Sequence, residues 1–450
     1  MRGNKSGYLR RGIFVFAGVF SLALLFFLFL SIGGIYDPLN IGEALNRYWM
    51  KDRETPNVSG DEYDPATPNN GANSEGNDNN LADDSTKSSD KDDANKDNNA
   101  NKDNANALVP PADRESNAQP IYFKAVGDIM LGRGVEYHLN NQGRDYTFPF
   151  REVVDVLKSG DIVFGNLEVP MTDSEHGLDP SGKYVIKSSK KAVESIKYAG
   201  FNVLNLANNH IMDYYEKGLL DTIDALEEYE IMYFGAGKNI SEARKPAILT
   251  VKGIKIAFLG YTDMAEYVYK GDPMISFVAG EDKSGVAPRK YDLIKEDMEK
   301  IRDTVDLLVI SLHWGVENSF EVTGEQREFA YKLIDDGADV ILGHHPHRFQ
   351  GVEIYKNKPI IYSLGNFIFD QNDKLNQESF IVDMVFTGNK LSSLELLPIR
   401  VIDKTHVTMP KGQSAMEMLN RELELCGKLG SRCAIVDDKI VFNIKSENSK

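Results

Sequence analysis

Cysteine is almost missing from this sequence: 450 residues contain only Cys426 and Cys433. That excludes a disulfide-dense scaffold and any zinc site built from four thiolates. An excess of positive charge is also missing, since 51 Lys+Arg stand against 68 Asp+Glu for a net charge of −17. A general nucleic-acid binder, which needs a basic surface to neutralise phosphates, is excluded on that ground. A third absence is local. From Ile13 to Tyr36 there is no charged residue, while residues 1–11 carry Arg2, Lys5, Arg10 and Arg11 without an acid.

The uncharged run is rich in Phe and Leu and would span roughly 36 Å as a helix, enough to cross a bilayer core with some tilt. A cleaved signal peptide usually has a shorter apolar core of about 7–15 residues and a small-x-small site. Ser31-Ile32-Gly33-Gly34 matches that site poorly. The expectation is therefore a basic cytoplasmic N-terminus over residues 1–11 and an uncleaved transmembrane anchor over 12–36. The rest is expected outside the cell membrane, as a single-pass protein with an extracellular C-terminal domain.

Residues 37–119 read as a juxtamembrane segment followed by a disordered Asn/Asp-rich linker. Between Lys51 and Gln119 there are 7 basic and 16 acidic residues, with the near-repeat NKDNNA then NKDNAN at 95–106. So little apolar surface cannot offset the entropy of ordering. As a flexible coil the stretch would reach roughly 45 Å on average, which suits a tether, although a tolerated insertion has the same composition.

Residues 120–450 form the globular part, with 39 Lys+Arg against 50 Asp+Glu. Short apolar runs alternate there with helical patterns. Strands are expected at 121–126, 161–164, 202–206, 307–311 and 339–342, helices at 151–158, 190–199, 217–229, 291–303 and 325–335, and hairpins around 252–253 and between 351–355 and 359–363. Repeated βα units imply an α/β fold with a mixed sheet or two packed sheets.

The residues that follow the strands carry the chemistry. Gly127-Asp128, Gly165-Asn166-Leu167-Glu168, Asn208-Asn209-His210, His313-Trp314 and Gly343-His344-His345-Pro346-His347 each stand at a strand's end. In open α/β sheets those ends line the ligand crevice. Singly, each has a plain structural explanation: a Gly-Asp turn, a helix cap, a hydrogen-bonded core histidine. Together they place five of eight histidines beside two carboxylates. Three imidazoles in four residues desolvate poorly unless a metal or partner takes their nitrogens.

Carboxylate, amide oxygen and imidazole without thiolate suit Mn, Fe or Zn, and the donors suffice for one or two divalent ions sharing Glu168 or Asp128. His210 is placed to act as an acid or transition-state donor, with Asp213 one helical turn on to fix its tautomer. Arg133 is a candidate to hold an anionic group bidentately, or else an ordinary ion pair.

The blocks VGDIMLGR (126–133), GNLEVPMT (165–172), NLANNHIMDYYEKGLLDT (205–222), FGAGKNISEARKPAIL (234–249), LHWGVE (312–317), GADVILGHHPHRFQGVE (337–353) and YSLGNFIFDQ (362–371) resemble the CapA-type poly-γ-glutamate capsule synthesis proteins, themselves similar to calcineurin-like metallophosphoesterases. The resemblance implies a four-layer metallophosphatase-like sandwich of two mixed β-sheets flanked by helices. It implies metal ligation by Asp128, Glu168, Asn209, His313 and two of His344, His345 and His347, taken as His345 and His347; His210 with Asp213 remain the candidates for catalysis, and Arg133, Asn166, His344 and Arg348 for substrate contact. It also implies membrane-embedded synthase or export subunits as partners. One departure bears on activity: Met130 stands where the phosphoesterase motif Asp-x-His has histidine. Two functions are compatible with these features, a metal-dependent hydrolase of phosphoesterase type and a non-catalytic metal-containing subunit that guides the polymer. A net-negative domain would repel an anionic polymer unless Arg133, Lys183, Lys187 and Arg348 form a positive cleft. Cys426 and Cys433, beside a helix expected at 415–429, would close a small-loop disulfide or remain buried thiols.

Overall fold

The computed structural model describes residues 119–178, 185–267 and 275–444. The expected anchor and linker lie outside the described residues. Among the described residues, no helix is long and apolar enough to cross a membrane.

Two large sheets form among the described residues, one of ten strands and one of six. The first is centred on Pro120–Ile129, joined in parallel to Ile162–Leu167, then Val203–Asn205, then Met232–Phe234. On its other side it pairs antiparallel with Glu378–Thr387, followed by Lys390–Ile402 and the hairpin Cys433–Val436/Lys439–Phe442. The second sheet is centred on Leu307–His313, in parallel between Ile254–Thr262 and Val340–His344. Lys358–Ile361 follows in parallel, and the edges Ala247–Val251 and Val352–Tyr355 are antiparallel.

The alternation of side chains along these strands divides them between two cores. Ile121, Phe123, Ile162 and Phe164 of the first sheet meet Ile256, Phe258, Val309 and Leu342 of the second. Phe164 and Phe258 stack across that interface with centroids 6.3 Å apart. Intervening residues face outward onto helices: Ala257, Leu259, Leu308 and Ile310 onto Ile294 and Met298 of helix Tyr291–Ile301 and Leu333 of helix Gly324–Asp335. Val126, Val163 and Leu204 meet Ile196 of helix Val193–Ala199 and Leu219 and Ile223 of helix Tyr215–Glu228. The layers are thus helix, sheet, sheet, helix. A strand covered on both faces reads as a continuous apolar run, which is why these segments were recognisable without alternation.

Local signals explain several boundaries. Thr323 and Gln326 form a reciprocal capping box that starts helix Gly324–Asp335. The expected helix over 151–158 is shorter, Val154–Lys158, because Phe148–Phe150 takes a 3₁₀ turn containing Pro149. The first strand runs on through Asp128 because Asn366–Ile368 pairs with its end across a bulge at Asp128/Ile129.

Cys426 and Cys433 are both free, so the expected disulfide is not formed. The Cys426 thiol is instead engaged in the core, donating to Glu422 Oε1 at 3.1 Å and accepting from the Val352 amide at 3.3 Å. Burial pushes the Glu422 carboxyl up to about 8, against a small opposing effect of the Cys426 thiol. The folded state therefore holds a proton there that the unfolded chain releases near pH 4.5, and stability falls as pH rises from about 4.5 to 8. Glu422→Gln is expected to flatten that slope and raise the melting temperature at pH 8.5. Melting curves across pH check it; an unchanged slope in the variant refutes the assignment.

Candidate metal centre

Strand register delivers the polar residues in two rows. In the first sheet, Asn366, Asp128, Asn166 and Asn205 are cross-strand partners on four adjacent strands. In the second, Thr262, His313 and His344 are partners on three. Six of the seven lie at the carboxyl ends of parallel strands, Asn366 opens its own short strand, and all seven are completely buried. Gly127 permits this closure. A Cβ there would sit 1.8 Å from the Gly365 carbonyl oxygen, which accepts the Asp128 amide at 2.9 Å.

Asn166 is the hub. Its Nδ2 donates to Asp128 Oδ1 at 2.9 Å and Glu168 Oε2 at 3.3 Å, while its Oδ1 accepts from Asn205 at 2.9 Å and Asn208 at 3.3 Å. Asn208 in turn holds the Leu167 carbonyl and the amides of His210 and Ile211. The His cluster turns back on itself, with His345 at φ +96° and His347 at φ +58°. Left-handed backbone at two non-glycine residues costs on the order of 1–3 kcal/mol each and persists only where the surroundings impose it.

Two groups of donors result, sharing Glu168. Asp128, Glu168 and His347 offer ligand atoms all within 4.8 Å of one another. His313 Nε2 faces Asn209 Oδ1 at 2.9 Å, His345 Nδ1 at 3.2 Å and Glu168 Oε1 at 3.9 Å. A single ring proton cannot serve three electron-rich neighbours. A cation among them would.

The electrostatics point the same way. Burial opposes ionisation of Asp128, yet His344 and His347 outweigh it and hold its carboxyl well below the usual range. Glu168 is pushed well above its usual value by burial and by the charge of Asp128. Two adjacent buried carboxylates share one negative charge when no cation is present. Burial drives His313 well below its ordinary value, and burial with the neighbouring His347 charge takes His345 down to about 4. Burial also opposes protonation of His347, but Asp128 prevails and raises it. Asp128 Oδ2 and Glu168 Oε1 are buried without a hydrogen-bond partner among the described residues. Orphaned carboxylate oxygens beside neutral imidazoles fit a divalent metal ion.

A cleft of about 250 Å³ opens above this floor, lined by Arg133, Asn209, His210, Asp213, Glu317, His347 and Phe369 among others. His210 Nδ1 lies 2.8 Å from Asp213 Oδ2, which also accepts the Ile186 amide at 2.8 Å. Burial raises the Asp213 carboxyl, although the His210 charge works against it.

Comparison with known proteins places the chain in a family. A family model described as "Bacterial capsule synthesis protein PGA_cap" matches residues 123–371. The chain belongs to that family. The capsule biosynthesis protein CapA of Bacillus anthracis is 36% identical over 305 residues, covering 66% of this chain and 70% of its own. The PGA biosynthesis protein CapA of Bacillus subtilis (strain 168) is 32% identical over 320 residues, covering 71% of this chain and 81% of its own. A solved putative 5'-nucleotidase from Staphylococcus aureus, in complex with alpha-ketoglutarate, aligns with TM-score 0.37 and 14% identity, over 69% of this chain and 58% of that one.

In this PGA_cap chain, the six expected ligands fall into the two groups just described, and His210 and Asp213 stand together on the cleft wall. Asn166 and His344 differ from expectation. Both were expected to touch substrate, but both are completely buried behind the carboxylates, His344 with Nδ1 3.3 Å from Asp128 Oδ1 and its ring 5.7 Å from Phe164. Arg348 also points elsewhere, to Asn376 Oδ1 at 3.0 Å and Asp373 Oδ2 at 2.9 Å. Met130 is buried in the apolar cluster against the helices and offers the centre nothing. Missed from the sequence were Asn366, which meets His347 Nδ1 at 2.9 Å, and Asp370, which binds Arg133. Both lie in the block YSLGNFIFDQ (362–371), none of whose residues carries a role expected from the sequence.

A divalent ion bound at 100 to 1,000 times its dissociation constant stabilises the fold by about 3–4 kcal/mol. EDTA is therefore expected to lower the melting temperature of the metal-loaded protein, and Glu168→Ala to abolish both the bound metal and the EDTA effect. Elemental analysis and melting curves check this. Wild type without metal after loading refutes the centre.

Proposed function

We propose that this protein supports poly-γ-glutamate capsule synthesis or export as a membrane-anchored, outward-facing hydrolase with a metallophosphatase-like centre. The carrying observation is the buried carboxylate–imidazole cluster at the strand ends of both sheets, in a chain of the capsule synthesis family. The uncharged run over 13–36 and its basic flank support the anchor and the placement of the domain outside the membrane. Membrane-embedded synthase or export subunits are the partners this placement suits, and an anionic polymer or a phosphoester is the substrate.

Asp128, Glu168 and His347 would hold one ion, and Glu168, Asn209, His313 and His345 a second, of Mn, Fe or Zn. Such an ion supplies a Lewis acid for a phosphoryl or acyl oxygen and a water that ionises near neutral pH. The protein supplies the rest. Asp213 fixes the proton of a neutral His210 on Nδ1, leaving Nε2 as the ring atom that takes or gives a proton in the cleft. The Ile186 amide keeps the Asp213 carboxylate in place. Asn166 keeps Asp128 and Glu168 apart at fixed spacing through one amide nitrogen.

A second reading, a metal-containing subunit that guides the polymer without hydrolysis, has one observation in its favour. Met130 packs in the apolar cluster, so one nitrogen ligand of the hydrolytic motif is replaced by a core residue. Turnover decides. Full-length protein in detergent with Mn²⁺ or Zn²⁺ is expected to hydrolyse an aryl phosphomonoester or diester. His210→Ala is expected to lower kcat by roughly 10²–10⁴ while bound metal is retained. Metal-loaded wild type without turnover on either ester defeats the phosphoesterase reading and leaves the guiding role.

A further inference from the structure

The cleft has few cations for a site meant to receive an anion. Among the described residues that line it, Arg133 is the one Lys or Arg, set against Asp213 and Glu317. Of the four cations expected to form a positive cleft, two described ones are engaged elsewhere. Lys187 Nζ donates to the Ser174 carbonyl at 2.6 Å and pairs with Glu175 at 3.3 Å, and Arg348 is held by Asp373. Lys183 lies outside the described residues. Among the described residues that line the cleft, Arg133 is the Lys or Arg side chain able to recognise negative charge.

Arg133 is held in place with unusual care. Its Nε donates to Asp370 Oδ2 at 3.1 Å and its Nη2 to Asp370 Oδ1, so one edge of the guanidinium is fully used. Asp370 Oδ2 also accepts the Gly134 amide at 3.0 Å. The residue at 134 must be small for this. A Cβ there would meet Asp370 Oδ2 at 2.8 Å. Arg133 itself takes φ +45° to begin its helix, and its guanidinium lies over the Phe369 ring at 5.7 Å. An ordinary surface ion pair needs neither left-handed backbone nor a glycine beside it. What this arrangement leaves is Nη1, which has no hydrogen-bond partner among the described residues, on a side chain that lines the cleft. Arg133 is also close enough to lower the Asp213 carboxyl that orients His210.

We infer that Arg133, aimed by Asp370, is the group that recognises an oxyanion of the substrate beside the metal centre, with Asp370 as its positioning residue. The ligand class is a carboxylate or phosphoryl oxygen presented to the free guanidinium edge. Phosphate monoesters carry such oxygens, and so does every unit of a γ-linked glutamate chain, whose α-carboxylate is left free by the linkage. A rigid guanidinium loses less freedom on binding than a mobile one, which is what the carboxylate behind it secures.

This rests on the proposed use of the centre, but binding tests it apart from turnover. Metal-loaded full-length protein is titrated calorimetrically with inorganic phosphate and, separately, with γ-glutamylglutamate. Wild type is expected to bind at least one of them about tenfold more tightly than Arg133→Gln or Asp370→Asn. The double variant is expected to bind no more weakly than either single one, because both remove the same contact. Asp370→Glu should recover part of the affinity, Gly134→Ala should lose it, and metal content should be equal throughout. Stronger binding of phosphate identifies a phosphoryl ligand, and stronger binding of the dipeptide identifies the polymer's carboxylates; either supports the proposal. Asp370→Asn within twofold of wild type overturns it, as do additive single effects or a wild type that binds neither probe better than Arg133→Gln. Binding without ester turnover would remove the phosphoesterase reading alone. Turnover that ignores Asp370 would remove this inference alone.

Discussion

Two carboxylates, Asp128 and Glu168, are buried completely and joined through a single amide nitrogen of Asn166. At the effective dielectric of a protein interior, like charges about 5 Å apart repel by roughly 3 kcal/mol. Burial adds a further cost for each ionised group. The surrounding architecture is arranged around that conflict. Amides satisfy what they can, through Asn205 and Asn208 behind Asn166. Imidazoles from the second sheet face the oxygens that remain. The two sheets must therefore pack at one distance and one register, because the first contributes the carboxylates and the second most of the imidazoles.

This division accounts for the order of the layers. The interface filled by Phe123, Phe164, Phe234 and Phe258 is apolar through its body and ends in the polar rows at the carboxyl edges. A slip of one residue in either sheet would turn Asp128 or His313 toward the outer helices and send an apolar neighbour into the centre. Register is thus specified from two directions, by the aromatic body of the interface and by its polar edge.

Much of this was legible in the sequence. Strands covered on both faces announce themselves as apolar runs, and the residues after them named all six candidate ligands and the His210–Asp213 pair. Three things were not legible. Strands of three residues, such as Met232–Phe234 and Asn366–Ile368, are too short to show a period, yet the second of these brings Asn366 beside Asp128. The direction of a side chain was also hidden. His344 and His345 are neighbours in sequence, but the left-handed backbone at His345 sends one ring behind Asp128 and the other toward His313. Finally, Arg348 and Lys187 carry the charge expected of a cleft wall, and only their partners reveal that they serve loops elsewhere.

The floor and the wall of the site are built on opposite principles. On the floor, residues are uncharged amides or are forced to share charge, a donor set that suits a cation. On the wall, side chains are paired individually: His210 with Asp213, Arg133 with Asp370. Each pair uses one side of the imidazole or guanidinium and leaves the other side open, so the carboxylate behind it sets direction. Under the proposed function, that asymmetry lets an acidic domain host an anion. Net charge acts at a distance and is largely screened by salt beyond a Debye length, whereas an oriented guanidinium edge acts at contact, where screening is weak. The overall negative balance and an anionic ligand are then compatible, because they are felt at different ranges.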